Sequence, residues 1–392
     1  MRTLQDLQQK QALPLDLKIR LTRDRVRAWV NEYGEDGVYI SFSGGKDSTV
    51  LLDLIRDEYG YKNIPAMFVD VPTQYPELRQ FVKTFDNVDI VQPKINFFQV
   101  CEKYGFPLFS KEISDCVYSA RKFIEAVTAG KTPKYFAQFA DLFGVERRKK
   151  DTKQDYEDLK KGIIPKDILE KAPVRAKQLL GKMPHKEKGK LTNEYSKRYD
   201  RSAYLFMLDA PFEIGNQCCH IMKKDPAKRY AKETGRKPIT AQMASESKLR
   251  TSQWIQKGCN AFDAKNPISN PMSFWTEQDV LLYIKQKNLP ICSVYGEVVS
   301  DDEEMGQMQL SDYAGMELFD LGQQELHCTG CQRTGCVLCG FGAHMPDDER
   351  FVRLRETHPG MYALLDKVTN SGYTMRQAID WIAQHSDKVI RY

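Results

Sequence analysis

Along the first hundred positions, apolar residues switch repeatedly between helical spacing and short continuous runs. Residues 17–33 place Leu21, Val26, Trp29 and Val30 on one helical face. Gly37-Val-Tyr-Ile-Ser-Phe-Ser43 follows as a β-rich run that ends in glycines. Asp47 to Tyr59 returns to helical spacing, with apolar residues at 50, 51, 54 and 55. Pro65 to Val71 predicts a second buried strand, and Pro76 to Phe85 a second helix. Val88 to Val91 and Phe97 to Tyr104 predict a third pair. Strands alternating with helices imply an α/β fold, a parallel sheet covered by helices on both faces.

The alternation then stops. Lys131 to Arg201 is Lys-rich and punctuated by Pro133, Pro165, Pro173 and Pro184, which reads as a partly helical surface insertion. The core resumes near Ala210, with helices expected around Ala227–Glu233 and Glu277–Lys287. The expected organisation is a helical segment (1–34), a nucleotide-binding core (35–130), the insertion (131–205) and the core continued (206–290). A Cys-rich metal module (291–345) and a helical tail (346–392) complete it.

Charge sharpens this picture. The chain carries a net charge of only +5, but residues 145–201 hold 18 Lys and Arg against 10 Asp and Glu. The positive field is local, and its alternatives are a nucleic-acid-binding face or a solvated helical surface. No apolar run is long enough to span a bilayer, and the polar, Arg-rich N-terminus has no signal-peptide core. A cytoplasmic location is expected, with no membrane partner. Thiols there stay reduced, so the ten cysteines should be free, catalytic or metal-bound. Cys101, Cys116, Cys259 and Cys292 stand singly and read as small core residues.

The strongest chemical signal is the turn between the first strand and the next helix. Small residues Ser43, Gly44 and Gly45 allow successive backbone N–H groups to point inward as a nest for anionic oxygens. The following helix turns its positive end to the same spot. Lys46 adds a mobile charge and Ser48 a hydroxyl. The Walker spacing is missing.

This Ser43-Gly-Gly-Lys-Asp-Ser48 loop resembles the signature of the PP-loop superfamily, the ATP pyrophosphatases, whose members include tRNA thiolases, GMP synthetase and the APS and PAPS reductases. In ATP-using members the resemblance implies cleavage between the α and β phosphates, with adenylylation of the substrate. In the reductases the loop holds an already activated sulfonucleotide. Phe68-Val-Asp70 followed by Tyr75-Pro76-Glu77 is similar to the second strand of the reductases, although Val71-Pro72 replaces their Thr-Gly. The implied nucleotide-binding residues are Ser41, Ser43, Gly44, Gly45, Lys46, Asp47, Ser48 and Asp70.

Six cysteines cluster. Cys218-Cys219, then Trp275-x3-Asp279-Val280, then Cys336-x2-Cys339 follow the order seen in APS reductases, where four thiolates hold a [4Fe–4S] cluster near the nucleotide. The block from Cys331 to Gly342 is similar to a cysteine-rich branch of PAPS-reductase-like proteins. The resemblance implies a cluster on Cys218 or Cys219 together with Cys331, Cys336 and Cys339. Cys328 and Cys331 complete a run of four thiols with Cys336 and Cys339 that could instead hold structural Zn2+. His220, His327 and His344 flank these cysteines.

Two departures matter. No cysteine follows Cys339, so the C-terminal nucleophile of sulfonucleotide reductases is missing. Where the reductases carry an Arg-Arg pair, this chain has Met243-Ala244, although Arg250 matches their last arginine. Glu246 could position Mg2+ or a substrate amine, or simply pair with Arg250 one helical turn on. The expected enzyme therefore binds ATP with Mg2+ and activates a substrate by adenylylation. It would handle sulfur at an Fe–S site, with tRNA or DNA as acceptor. Lys46, Asp47, Glu246 and Arg250 are its expected catalytic residues. A sulfonucleotide reductase working with thioredoxin, or a nucleotide-sensing nucleic-acid-binding protein with structural zinc, are the alternatives.

Overall fold

The computed structural model describes residues 2–129, 172–187, 190–300 and 325–392. Most of the Lys-rich insertion, including residues 145–171, lies outside the described residues. So do residues 301–324 of the expected Cys-rich module. The chain divides into two compact units. The first comprises residues 1–94 and 223–336, and the second residues 95–222 and 337–392. These units cut across the expected linear segments: the N-terminal helices join the first, and the helical tail joins the second.

The first unit opens with α1 (Leu4–Gln11) and α2 (Leu15–Tyr33). It continues through β1 (Val38–Ser41), α3 (Lys46–Asp53), β2 (Ala66–Val69), α4 (Pro76–Val82) and β3 (Val88–Val91). The chain returns with α5 (Asp225–Thr234), β4 (Lys237–Ile239), α6 (Lys248–Lys257), β5 (Asn260–Ala261), β6 (Ile268–Ser269) and α7 (Glu277–Lys287). A hairpin-like pair, β7 (Val298–Ser300) and β8 (Leu326–Cys328), runs antiparallel.

Six strands form one sheet in the order β3-β2-β1-β4-β6-β5. All neighbours are parallel except the edge pair β5–β6. The expected parallel sheet is therefore present, with one antiparallel edge. Alternation along β1 shows why both faces are covered. Val38 and Ile40 enter a large core with Trp29, Leu51, Ile55 and Trp275, whereas Tyr39 points to the other face with Met67 and Tyr230 of α5. β1 lies between β2, which follows it directly, and β4, which arrives much later. The strand order reverses at that point, and ligands of open α/β sheets bind there at the carboxyl ends of the strands.

One buried ion pair ties the N-terminal helices to the last helix of this unit. Lys18 Nζ donates to both carboxylate oxygens of Asp279, at 2.7 and 2.6 Å, and to the carbonyl of Gln11 at 2.6 Å. Asp279 is also the third residue of α7 and accepts from the N–H and hydroxyl of Thr276, which closes a capping box.

The second unit is mainly helical. Phe97–Tyr104, Lys111–Ala129 and Val174–Leu179 are helices, as are Arg350–Thr357 and Met375–Gln384 in the tail. Pro184–Glu187 and Lys190–Tyr195 pair antiparallel, so the described end of the insertion includes strand as well as helix. The buried Arg121 guanidinium gathers the carbonyls of Met207, Leu208, Ala210 and Phe212, at and just beyond the end of the 3-10 helix Ser202–Asp209. Among the described residues, no helix is long and apolar enough to cross a membrane.

Candidate active site

The loop 43–48 sits between the end of β1 and the start of α3, in the first unit. Ser41 closes β1 in register with Met67. Gly44 takes φ of +71°, and a Cβ there would come within 3.0 Å of Val82 and 3.3 Å of Leu78 on α4. Glycine is thus required both by conformation and by space. Three loop N–H groups donate to hydroxyls: Ser43 to Ser48 Oγ at 3.1 Å, Gly45 to Ser43 Oγ at 3.3 Å, and Lys46 to the Tyr295 hydroxyl at 3.3 Å. A ring of neutral acceptors on backbone donors at a helix start is what anionic oxygens can displace.

Lys46 and Asp47 carry the charge of this site. Lys46 is only 4 % exposed, and its Nζ donates to the Gln332 carbonyl at 2.8 Å and pairs with Glu277 at 2.9 Å. Its ammonium also lies 5.5 Å from the centre of the Tyr295 ring. Asp47 Oδ1 is shut off from solvent and has no hydrogen-bond partner. Burial raises the Asp47 pKa, Lys46 opposes that rise, and the neighbouring Glu277 adds to it.

Several groups around the loop come from positions that motif reading did not single out. Tyr295, which accepts from Lys46 N–H, bonds Thr334 Oγ1 at 2.7 Å. Gln332, Arg333 and Thr334 occupy the interval between Cys331 and Cys336, so this interval reaches the 43–48 loop. Their sequence signal was the block Cys331-Gln-Arg-Thr-Gly-Cys336, whose cysteines alone drew attention. Cys331 Sγ in turn lies 3.6 Å from the hydroxyl of Tyr75, the first residue of the Tyr-Pro-Glu match.

Arg250, in the first turn of α6, pairs with Glu246. Glu246 also accepts from the Met243 N–H at 3.1 Å and so caps its own turn. Burial, then the nearby Arg333, lower the Arg250 pKa, while Asp47 raises it. Arg250 and Arg333 therefore stand as two guanidiniums close to Asp47, where the 243–244 positions offer no arginine. Asp70 follows β2 and is held by the Arg79 guanidinium, with Nε at 2.9 Å and a second nitrogen at 2.7 Å, and by Gln92 at 3.2 Å.

The cysteines are distributed over both units. Cys328, Cys331 and Cys336 belong to the first, and Cys218, Cys219 and Cys339 to the second. Cys328 is buried, and burial raises its pKa. Among the described residues, no three His, Cys, Asp or Glu side chains gather as metal donors. Of the single cysteines, Cys101, Cys116 and Cys292 are buried and Cys259 is partly so.

Comparison with known proteins adds the family. The domain described as phosphoadenosine phosphosulfate reductase matches residues 37–116 and 174–340. An argininosuccinate synthase from Natronomonas pharaonis is 34% identical over 68 residues, 16% of this chain and 17% of that protein. The chain thus spans about a sixth of that relative's length. The crystal structure of phosphoadenylyl-sulfate (PAPS) reductase from Candida auris, a phosphate complex, aligns over 75% of this chain and 91% of its own. The TM-score is 0.33 and the identity 12%.

Proposed function

Because the chain belongs to the phosphoadenosine phosphosulfate reductase family, we propose that it binds ATP at the 43–48 loop and activates an acceptor by adenylylation, ahead of sulfur transfer. One observation carries this choice of nucleotide. Asp47 Oδ1 is buried without a partner beside Lys46, and Glu277 adds a second carboxylate. Two carboxylates at a phosphate nest would repel a sulfonucleotide that arrives without a cation. They suit a nucleotide that brings Mg2+, which takes one or two carboxylates beside phosphate oxygens and water. Asp47 and Glu277 would hold that ion, and it would neutralise charge developing on the leaving pyrophosphate.

The remaining groups have distinct tasks. The N–H groups of Ser43, Gly45 and Lys46 exchange their hydroxyl acceptors for phosphate oxygens. Lys46 exchanges Glu277 and the Gln332 carbonyl for the phosphates, and keeps its stem in a dry site where its charge acts strongly. Arg250 and Arg333 offer a second anionic grip. An acceptor oxygen attacks the α-phosphorus, and the bond to the β-phosphate breaks with its electron pair on pyrophosphate. Attack by a sulfur donor on the activated acceptor then releases AMP.

A nucleic acid is the proposed acceptor, on the strength of the basic 145–201 segment. Sulfur handling would draw on the cysteines. Metal analysis of anaerobically purified protein reads this directly. Iron with acid-labile sulfide supports Fe–S chemistry, whereas one zinc supports a structural module.

The reaction is tested by calorimetric nucleotide binding and by detection of pyrophosphate with candidate RNA or DNA present. ATP should bind more tightly than PAPS, and the products should be pyrophosphate and AMP rather than ADP. Lys46→Ala should lower the rate by about 100-fold or more, the scale of a lost electrostatic stabiliser. Tight PAPS binding with thioredoxin-dependent sulfite release, and no use of ATP, would establish sulfonucleotide reduction instead.

A further inference from the structure

The first unit contains a second cavity, built from α1, α2, the end of α6 and the loop through β5. It measures about 600 Å³, within the range of small-molecule sites. Four cations line it: Arg2, Lys10, Arg25 and Lys257. Asp263 is the one carboxylate in the lining. Lys10 has the Asp6 carboxylate nearby, whereas Arg2, Arg25 and Lys257 carry no salt bridge among the described residues. Four cations against the Asp263 and Asp6 carboxylates leave a positive surplus, and an anion relieves it.

The cavity wall also has features that a bare anion would not use. Trp254 lines it, is 3 % exposed, and leaves its indole N–H buried with no hydrogen-bond partner. Such a donor is costly to leave unmade. Phe262 adds a second ring to the lining, held from behind by Trp29 at 5.0 Å between ring centres. Gly258, with φ of +74°, ends α6 so closely under Arg2 that a Cβ would lie 2.6 Å from the guanidinium carbon. Arg2 is thus seated against the turn that follows Lys257.

We propose that this cavity is a binding site for a phosphorylated nucleoside, separate from the 43–48 loop, with Arg2, Lys10, Arg25 and Lys257 on the phosphate and the aromatic wall beside the base. Volume, net charge and aromatic lining point to the same class. An inorganic phosphate would satisfy the cations and leave most of the space unused. A neutral aromatic compound would leave the positive surplus in place. The ligand is either a free mononucleotide or the terminal nucleotide of a strand. α6 connects the two sites: its first turn carries Arg250 near Asp47, and its last turn carries Trp254 and Lys257 into the cavity.

The test is calorimetric titration of the full chain with 5′-AMP, a 5′-phosphorylated oligodeoxyadenylate, and inorganic phosphate. AMP should occupy two sites per chain. Lys46→Ala should weaken one and leave the other unchanged. Arg25→Glu with Lys257→Glu, the first half-buried and the second exposed, should weaken the second by about tenfold or more and leave ATP binding at the loop intact. Trp254→Phe, which keeps a ring and removes the N–H, should weaken the same site. Tighter binding of the oligonucleotide than of AMP at this site identifies a strand end as the source, and the reverse identifies free nucleotide. Loss of all AMP binding in Lys46→Ala, no effect of the double reversal, or inorganic phosphate binding as well as AMP would overturn the assignment.

Discussion

Asp47 shows how a single residue can trade stability for a binding site. Its Oδ1 is buried without a hydrogen-bond donor, and burial raises its pKa. The sign of the consequence is fixed by linkage. A carboxyl with a raised folded pKa holds its proton more tightly in the folded state than in the unfolded chain. Its favourable contribution is complete below the unfolded value of 3.8 and is lost as pH rises through the raised folded value. At neutral pH the ionised form is a cost to the folded protein. Asp47→Asn should therefore melt higher than the parent at pH 7 without nucleotide, and the gap should close towards pH 4. The same substitution should weaken Mg2+-dependent ATP binding by about tenfold or more, as expected when a charged ligand group is lost. Thermal melts at several pH values, with calorimetry beside them, read both effects. A variant that melts lower at pH 7 and binds ATP normally would mean that Asp47 is an ordinary structural carboxylate. Much of this was legible in the sequence, because Ser-Gly-Gly-Lys-Asp-Ser announces a nest by residue type alone. Its partners were not legible. Glu277 and Tyr295 are over two hundred positions away, and nothing local marks a tyrosine as the acceptor of a loop N–H.

At the scale of elements, hydropathy was a sound guide wherever an element packs one face. Val88–Val91, Phe97–Tyr104 and Glu277–Lys287 begin and end where the pattern predicts. The helix expected over 47–59 is α3, continued through a wider turn at Leu54–Glu58. Tertiary partners were harder to read, since period alone does not say which element lies opposite. Lys18 is the sharpest case. It is a charged residue between Leu17 and Ile19 on α2, and it is 2 % exposed and bound to Asp279. Removing one partner of a buried pair leaves an uncompensated charge, which typically costs about 3–5 kcal/mol. Lys18→Met should therefore lower the urea midpoint strongly. Lys18→Met combined with Asp279→Asn should recover part of the loss, because Asn can still accept from Thr276. If the double variant is as unstable as the sum of the singles, the contribution of Lys18 is packing of its stem rather than charge.

At the scale of the whole molecule, the chain is two units whose sequence segments interleave, and that interleaving is the feature that linear reading handles worst. The Cys-rich block was read as one module, yet the boundary between units falls between Cys336 and Val337. The family match likewise breaks between residues 116 and 174 and resumes to 340, so about half of the basic segment falls in the gap. A segment outside the family's shared core is where a chain can carry its own partner specificity, and the charge of this one points to a polyanion. Eighteen Lys and Arg against ten acidic residues in 145–201 give a surplus that acts as a local field, while the rest of the chain is slightly acidic. Phosphate contacts release counterions, so binding of tRNA or single-stranded DNA should fall steeply as salt rises. Reversing Arg147, Arg148, Lys149 and Lys150 together should weaken binding at low salt. It should also reduce the logarithmic salt slope by up to about 3, at roughly 0.7 per single-strand phosphate contact. ATP binding should be unchanged in the same variant, because none of the four lies in the nucleotide loop. Fluorescence anisotropy across a salt series measures both slope and affinity. Binding that ignores salt, or that survives the four reversals unchanged, would assign this segment to a solvated surface and leave the acceptor to be sought among small molecules.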